Sequence, residues 1–478
     1  MPSSAFDRPP TRAGSCRAGS LRWTGLGVLP CGILLGALAS CGGGSGSNSS
    51  PPPPEPPTNV LVVVLDDWGI DNFGRFGAHP DAPPTPTLDA LADGGVLFRR
   101  AYVSPTCSPT RSQILTGRHS FRVGLGEPVN DWQSVPALAF AEVTLPEIFD
   151  AVAEPPIATS AVGKWHLGSV AVGGADHPNL QGFDWFSGTL GNLFFGETFT
   201  SYAKVVNGVT QPSSVYATTE QVDDALARIA AMPEPWFLYL GFNAPHKPFH
   251  VPPAHLHTYA LAGDPELTAA EHYRAAVQAL DTELGRLLAA MDPEVRANTT
   301  VVVLGDNGTP NEAVTPPSVD GQNKGTLYEG GVHVPLIVAG KHVEQPGRES
   351  DALLHAVDLF PTLAELLGVD YRAGIGDNRP VDGLSFAALL RDPAAPGPRA
   401  SVFAERFSPN GFGPYSSQAW MVRDARWKLM RRAGQGDLFF DMQGQIREPA
   451  PLDLGALDGE QQAAYDALVA ELAAVLGS

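Results

Sequence analysis

Five short stretches of this chain carry residues able to do chemistry together. Asp66-Asp67 and Gly305-Asp306-Asn307-Gly308 supply hard oxygen donors, the set that favours Ca²⁺ or Mg²⁺ over a metal wanting thiolate or imidazole. Gly163-Lys164-Trp165-His166 and Asn243-Ala244-Pro245-His246 add an ammonium and two imidazoles. The fifth, Cys107-Ser108-Pro109-Thr110-Arg111, puts a thiol four residues from a guanidinium, on one helix face if the stretch is helical. Singly, each has an ordinary explanation. Asp66-Asp67 reads as a solvated loop or helix cap, His246 as a packed or surface histidine, Lys164 as a solvated charge and Cys107 as a free, partly buried thiol.

The elements before these stretches change the balance. Asn59 to Leu65 (NVLVVVL) and Thr299 to Leu304 (TTVVVL) are short, continuously apolar, β-branched runs, the pattern of strands buried on both faces of a parallel sheet. Pro156 to Val162 and Trp236 to Phe242 repeat it. Each of the four polar clusters follows one such strand, and in open α/β sheets the loops at the carboxyl edge converge on one crevice. For the fifth stretch, Pro109 fits the first helical position and Ser108 a cap. Cys107 is thereby expected at the positive end of a helix, where backbone N–H groups and Arg111 favour an anion beside it.

Cys-x-Pro-x-Arg with Thr116-Gly117-Arg118 behind it resembles the signature of type I sulfatases, the formylglycine-dependent arylsulfatase-like branch of the alkaline phosphatase superfamily. The likeness runs from about Asn59 to the C-terminus. It implies an α/β fold, with a large mixed, mostly parallel sheet flanked by helices and a smaller C-terminal antiparallel sheet plus helix. It also implies that Cys107 is oxidised to Cα-formylglycine by a maturation enzyme, and that Asp66, Asp67, Cys107, Asp306 and Asn307 surround Ca²⁺, with Mg²⁺ the other candidate. Lys164 and His166 match the family's Gly-Lys-Trp-His-Leu-Gly motif. His246 falls where a leaving-group acid is placed, and Lys324, opening Lys-Gly-Thr-Leu-Tyr-Glu-Gly-Gly, where a sulfate-binding lysine is placed. Two of the chain's six lysines occupy these motifs.

The implied reaction is hydrolysis of a small-molecule or carbohydrate sulfate ester. One hydroxyl of hydrated formylglycine attacks sulfur, with Arg111 beside it and Asp306 as base. Lys164 and Lys324 hold the sulfuryl oxygens, and His246 protonates the leaving oxygen. His166 then accepts the proton of the second hydroxyl as the aldehyde returns. Two other readings stay open: a phosphonate monoester hydrolase or phosphodiesterase of the same superfamily, and a non-catalytic lipid-anchored binding protein.

Before this body the chain reads as an address. Arg8, Arg12, Arg17 and Arg22 precede the apolar stretch Gly25 to Ala39, about as long as a signal h-region and too short to span a bilayer. Leu38-Ala39-Ser40-Cys41 resembles a bacterial lipobox, which makes residues 1–40 a signal peptide and Cys41 a lipid anchor. Residues 41–58, rich in Gly, Ser and then Pro, form a tether. An exported lipoprotein facing the periplasm or cell surface is expected, and Gly42 after Cys41 favours the outer membrane. Fifty-one acidic against 31 basic residues, a formal charge of -20, exclude a generic nucleic-acid binder. Cys16, Cys31 and Cys41 lie in the first 41 residues, so Cys107 is the only thiol of the body and a disulfide framework there is excluded.

The catalytic domain is expected over residues 59–371 and an α+β subdomain over 372–478. Residues 260–291 have helical periodicity, with Tyr273, Val277, Leu280, Leu284 and Leu287 on a buried stripe. Asp358 to Leu367 begins another helix. Short strands follow at Ser401–Glu405, Ala419–Val422, Trp427–Arg431 and Leu438–Asp441, then an Ala/Leu-rich helix from Glu460 to Leu476. After Asp441 the family's usual acidic, Asn-containing turn is replaced by MQGQIREPAPLD, so no substrate contact carries over there. The loops Asp131–Ala141 and Gly173–Asn207 hold no readable substrate code. His250, His255 and His257 read as substrate-lining or solvated more readily than as a second metal site.

Overall fold

The computed structural model describes residues 58–477 apart from 195, 377 and 378. The expected signal peptide, Cys41 and the tether up to residue 57 lie outside the described residues. No helix among the described residues is long and apolar enough to cross a membrane.

Ten strands form the main sheet: β1 (Asn59–Leu65), β2 (Gly95–Tyr102), β3 (Ala158–Lys164), β4 (Trp185–Thr189), β5 (Tyr202–Val206), β6 (Val209–Ser213), β7 (Trp236–Gly241), β8 (Thr299–Gly305), β9 (His333–Gly340) and β10 (Arg348–His355). Their order is β10-β2-β9-β8-β1-β7-β3-β4-β5-β6. The four strands read from apolar runs are neighbours in its centre, β8-β1-β7-β3, and every pairing among them is parallel. Antiparallel strands occur only outside this block, at β9 and at β5-β6. The expected mixed, mostly parallel sheet is therefore present.

Strand alternation builds two cores. Val60, Val62 and Val64 pack with Ile114, Leu115, Phe149 and Phe360 on one face. Leu61, Val63 and Leu65 pack with Tyr273, Val277, Leu280 and Leu284 on the other. Each of these residues is fully buried or nearly so, which contributes roughly 1.5–3 kcal/mol per large aliphatic side chain. Both faces being covered, β1 has no polar alternation, as its sequence requires.

A second sheet of β11 (Val402–Ser408), β12 (Ser417–Arg423), β13 (Trp427–Arg432) and β14 (Leu438–Asp441) is wholly antiparallel. One face buries Leu468 and Leu472 of the terminal helix Gly459–Gly477 against Phe403, Val422, Leu429 and Phe439. The other packs Ala404, Met421 and Met430 on Tyr102, Leu327 and Val332.

Several boundaries differ from expectation, among them β11, expected at Ser401–Glu405 and found at Val402–Ser408. β3 begins at Ala158 and runs through Lys164, because Pro155 and Pro156 have no N–H to give a ladder. The helix expected from residue 260 begins at Ala269, since Gly263-Asp264-Pro265 interrupts the periodic pattern. The loop expected over Gly173–Asn207 contains β4 and β5. The Cys107 helix spans Cys107–Thr116, with Thr106 at its N-cap and Pro109 as third residue, so Ser108 is no cap. Its hydroxyl instead accepts from the Val129 amide at 2.9 Å. Proline is tolerated there because the first-turn N–H groups have no helical acceptor anyway.

Candidate active site

The carboxyl ends of β1, β3, β7 and β8, with the first turn of the Cys107 helix, meet at one place. Asp66 and Asp67 follow β1, Asp306 and Asn307 follow β8, Lys164 ends β3, and His246 lies five residues past β7. The backbone stitches these ends together: the Asp66 amide donates to the Ala244 carbonyl and the Asp306 amide to the Leu65 carbonyl. Asp67 and His166 hold left-handed backbone, with φ of 71° and 61°. Both residue types are enriched in that region when a tight turn demands it, and here it turns the side chains off the strand ends.

Three cation–carboxylate pairs organise the centre, two of them fully buried and the third with its Lys324 side chain 18% exposed. Lys164 Nζ bonds Asp66 Oδ2. Lys324 Nζ lies 2.5 Å from Asp67 Oδ1. Arg111 reaches Asp306 Oδ2 through Nε at 3.0 Å and Nη2 at 2.8 Å, and its Nη1 donates to the Lys164 carbonyl at 2.7 Å. Gly241 makes that last contact possible, because a Cβ there would stand 2.7 Å from both the Arg111 guanidinium and the Lys164 carbonyl. Asp306 Oδ1 accepts from the Asp67 backbone amide at 3.0 Å, and Asn307 Nδ2 donates to Asp67 Oδ1 at 2.8 Å.

Donor atoms of Asp66, Cys107 and Asp306 lie within 4.8 Å of one another, as do those of Asp66, Asp67 and His246. Asp66 Oδ1 and Asn307 Oδ1 are buried without a hydrogen-bond partner. Unsatisfied buried oxygens are costly, and two of them beside an oxygen-rich cluster fit a hard divalent cation. Three carboxylates against three cations leave the centre balanced, so a bound dication would give it a positive surplus.

Protonation follows from the same contacts. Burial pushes the Asp67 carboxyl up, but Lys324 and then His246 outweigh it and the net shift is downward. Burial and the charge of Asp66 raise Asp306, with Arg111 and Lys164 opposing. Burial also raises the Cys107 thiol, against Lys164 and Lys324. The unmodified thiol, although it stands at the N-terminal end of its helix, is therefore not activated. Burial and Lys324 hold His246 well below the ordinary imidazole range, with Asp67 opposing. Its Nδ1 faces the Lys247 carbonyl at 2.6 Å and its Nε2 stands 3.8 Å from Asp67 Oδ2. As donor to Lys247, the neutral ring keeps its lone pair on Nε2, so it can protonate a ligand only from the charged form. His166 is buried, with Nδ1 unpartnered, and burial with Lys164 and Arg111 holds it well below its ordinary range.

All the candidate residues therefore gather. The histidines after His246 do not: His250 stacks on Phe199 at 3.8 Å and faces the Tyr216 hydroxyl, and His257 faces the Pro252 carbonyl. No metal-binding cluster among the described residues includes them. Other contacts were not legible in sequence. The Tyr273 hydroxyl, on the stripe read as core, donates to the Asp67 carbonyl at 2.6 Å; nothing in helical periodicity separates such a tyrosine from a phenylalanine. Arg447, in the divergent segment after β14, donates to Ser318 Oγ at 2.5 Å and lies 3.7 Å from Asp71. Glu448 accepts from Lys428 and from the Glu329 amide, so this segment ties the Lys324-bearing stretch to the second sheet.

The sequence profile of the family described as Sulfatase matches residues 58–369. Arylsulfatase J of Mus musculus is 28% identical over 341 residues, 64% of this chain and 52% of its own length; the match thus spans about half of that relative. N-acetylgalactosamine-6-sulfatase of Sus scrofa is 28% identical over 413 residues, 78% of this chain and 73% of its own. Among solved structures, Ps i-CgsB in complex with k-i-k-neocarrahexaose superposes with a TM-score of 0.71 at 24% identity, covering 87% of this chain and 92% of that one, a likeness of fold.

Proposed function

This chain belongs to the sulfatase family, and from that premise we propose that it hydrolyses a sulfate ester with formylglycine at position 107 and a divalent cation, Ca²⁺ before Mg²⁺. The observation that carries the reading is the convergence of Lys164, Lys324 and Arg111, each on a carboxylate, around the buried first turn of the Cys107 helix.

Asp66, Asp67, Asp306 and Asn307 would hold the cation, which when bound supplies positive charge for the ester oxygens and lowers the proton affinity of the nucleophile. Lys164 and Lys324 bind sulfuryl oxygens where negative charge builds up, a contribution of roughly several kcal/mol for preorganised donors. Arg111 fixes Asp306, which takes the proton of the attacking hydroxyl at position 107. His246, neutral in the free site, takes up a proton at Nε2 from solvent beside Asp67 once the sulfate ester engages Lys324, and gives it to the leaving oxygen. His166 accepts the proton of the second hydroxyl as the carbon–oxygen bond to the sulfate breaks, so that sulfate leaves, the aldehyde returns and water rehydrates it.

The substrate class in this reading is a small-molecule or carbohydrate sulfate ester. The same reading includes a formylglycine-generating partner, a 372–478 subdomain beside a 59–371 catalytic domain, and export with anchoring through Cys41 to the outer membrane. Support for export is the Arg-flanked apolar leader and Leu38-Ala39-Ser40-Cys41.

The test is turnover of 4-nitrophenyl sulfate against bis(4-nitrophenyl) phosphate by protein expressed with a maturation enzyme. Preference for the sulfate is expected. Preference for the diester would move the chain to the phosphodiesterase reading, and an unmodified thiol with no turnover of either would favour the binding-protein reading.

A further inference from the structure

A cleft of about 550 Å³ opens between the Lys324 stretch and the second sheet, lined among others by Gly325, Arg406, Gln418, Arg431, Arg432 and Gln435. Three arginines border it, and no carboxylate does. In a chain with 51 acidic and 31 basic residues, that composition runs against the background. Arg431 is held by Asp437 at 2.6 Å, and Arg406 Nη1 bonds the Gly325 carbonyl. Arg432 enters no ion pair among the described residues and stands exposed on the cleft wall. Gln418, Gln435, Ser416, Ser417 and Tyr415 add neutral donors and acceptors for hydroxyl groups.

The cleft adjoins the catalytic centre through the backbone. Gly325 follows Lys324, and its amide donates to the Pro105 carbonyl at 2.8 Å, two residues before Cys107. A ligand that meets Lys324 and extends along Gly325 would come to Arg406, whose Nη1 bonds the Gly325 carbonyl, and to the cleft that Arg432 borders. We infer that this cleft is a second anion site, taking a sulfate or carboxylate on a neighbouring sugar unit of a polyanionic glycan. Guanidinium forks suit such oxyanions, which they meet with paired, charge-assisted hydrogen bonds. The inference rests on the sulfatase reading for the identity of the ligand, and on the cleft alone for the binding of anions.

Titration calorimetry of the full chain with sucrose octasulfate, a compact polyanionic sugar, tests it. The titrated proteins are the wild type, Arg432→Gln, Arg406→Gln and, away from the cleft, Arg348→Gln with the same loss of charge. Each cleft variant should weaken binding about tenfold, the value of one charge-assisted contact, and Arg348→Gln should not. Equal weakening by all three would show attraction to net charge and overturn the site, as would binding unaffected by either cleft variant or no binding to the wild type. Should Arg406→Gln loosen the Gly325 contact and misfold, Arg432→Gln carries the comparison. Turnover of 4-nitrophenyl sulfate on the same wild-type preparation separates the two proposals. Cleft-dependent binding with turnover of neither 4-nitrophenyl ester, in protein expressed with the maturation enzyme, overturns the hydrolase reading, and turnover with cleft-independent binding overturns this one.

Discussion

Arg111 and Asp306 meet twice, through Nε at 3.0 Å and Nη2 at 2.8 Å on the same carboxylate oxygen, with both side chains fully buried. The remaining guanidinium nitrogen reaches the Lys164 carbonyl, so one side chain joins the Cys107 helix to the ends of β3 and β8. Truncation would leave Asp306 buried and unpaired. Breaking a buried pair from one side typically costs about 3–5 kcal/mol, so Arg111→Ala should lower the melting temperature by several degrees and abolish turnover. Arg111→Lys keeps the charge, but one ammonium cannot reproduce the fork. It should fold and lose about a hundredfold or more in kcat. Wild-type melting of the alanine variant would contradict the pairing.

Position 107 makes a separate claim. The Cys107 thiol is raised by burial despite Lys164 and Lys324, an environment that suits neither a thiolate nucleophile nor a soft metal ligand. Peptide mass spectrometry of Ala101–Arg111 from active protein should show the aldehyde in place of the thiol. Cys107→Ser should lose repeated turnover, because a serine sulfate ester has no second hydroxyl through which to eliminate. Repeated turnover of that variant at the wild-type rate would end the formylglycine mechanism.

For the cation, the partnerless Asp66 Oδ1 and Asn307 Oδ1 give an expectation readable without catalysis. Protein stripped with a chelator and dialysed should gain thermal stability on adding Ca²⁺, since a ligand bound only by the folded state stabilises it by about 2.7 kcal/mol at a hundred times its Kd. Asp66→Asn should remove most of that gain. Melting curves that ignore Ca²⁺ in the wild type would place the metal elsewhere or nowhere.

How much of this was legible follows from what each signal depends on. The β8-β1-β7-β3 block was readable because strands covered on both faces must be apolar throughout, and the chemistry-bearing residues stand where those runs stop. β4, β5 and β6 were not: Val209–Ser213 is exposed along most of its length, so burial leaves little imprint on its sequence. The register of the Cys107 helix slipped because a proline fits anywhere in the first turn, not only at its first residue. Arg447 and Glu448 escaped because Asp71, Ser318 and Glu329 are brought near only by the packing of the second sheet on the first, and Lys428 only by the folding of the second sheet itself.

Glu405 offers a prediction independent of the catalytic centre. It lies in β11 with one carboxyl oxygen accepting from the Phe121 amide at 2.7 Å and the other buried without a partner. Burial, with Asp382 adding to it, pushes its pKa up to about 8, against Arg122 and the Phe121 hydrogen bond. The ordinary carboxyl value in the unfolded chain is near 4.5. Between these two values the folded state holds a proton that the unfolded state has released. Stability from this group is therefore complete below about pH 4.5 and is lost as pH rises toward 8, at up to roughly 1.4 kcal/mol per pH unit. Glu405→Gln keeps an acceptor for Phe121 and removes the titration. Melting temperatures measured from pH 5 to 8 should decline less steeply in the variant than in the wild type, whatever the offset between them at pH 5. Parallel curves would mean that Glu405 is ionised in the fold at neutral pH and that Arg122 outweighs its burial.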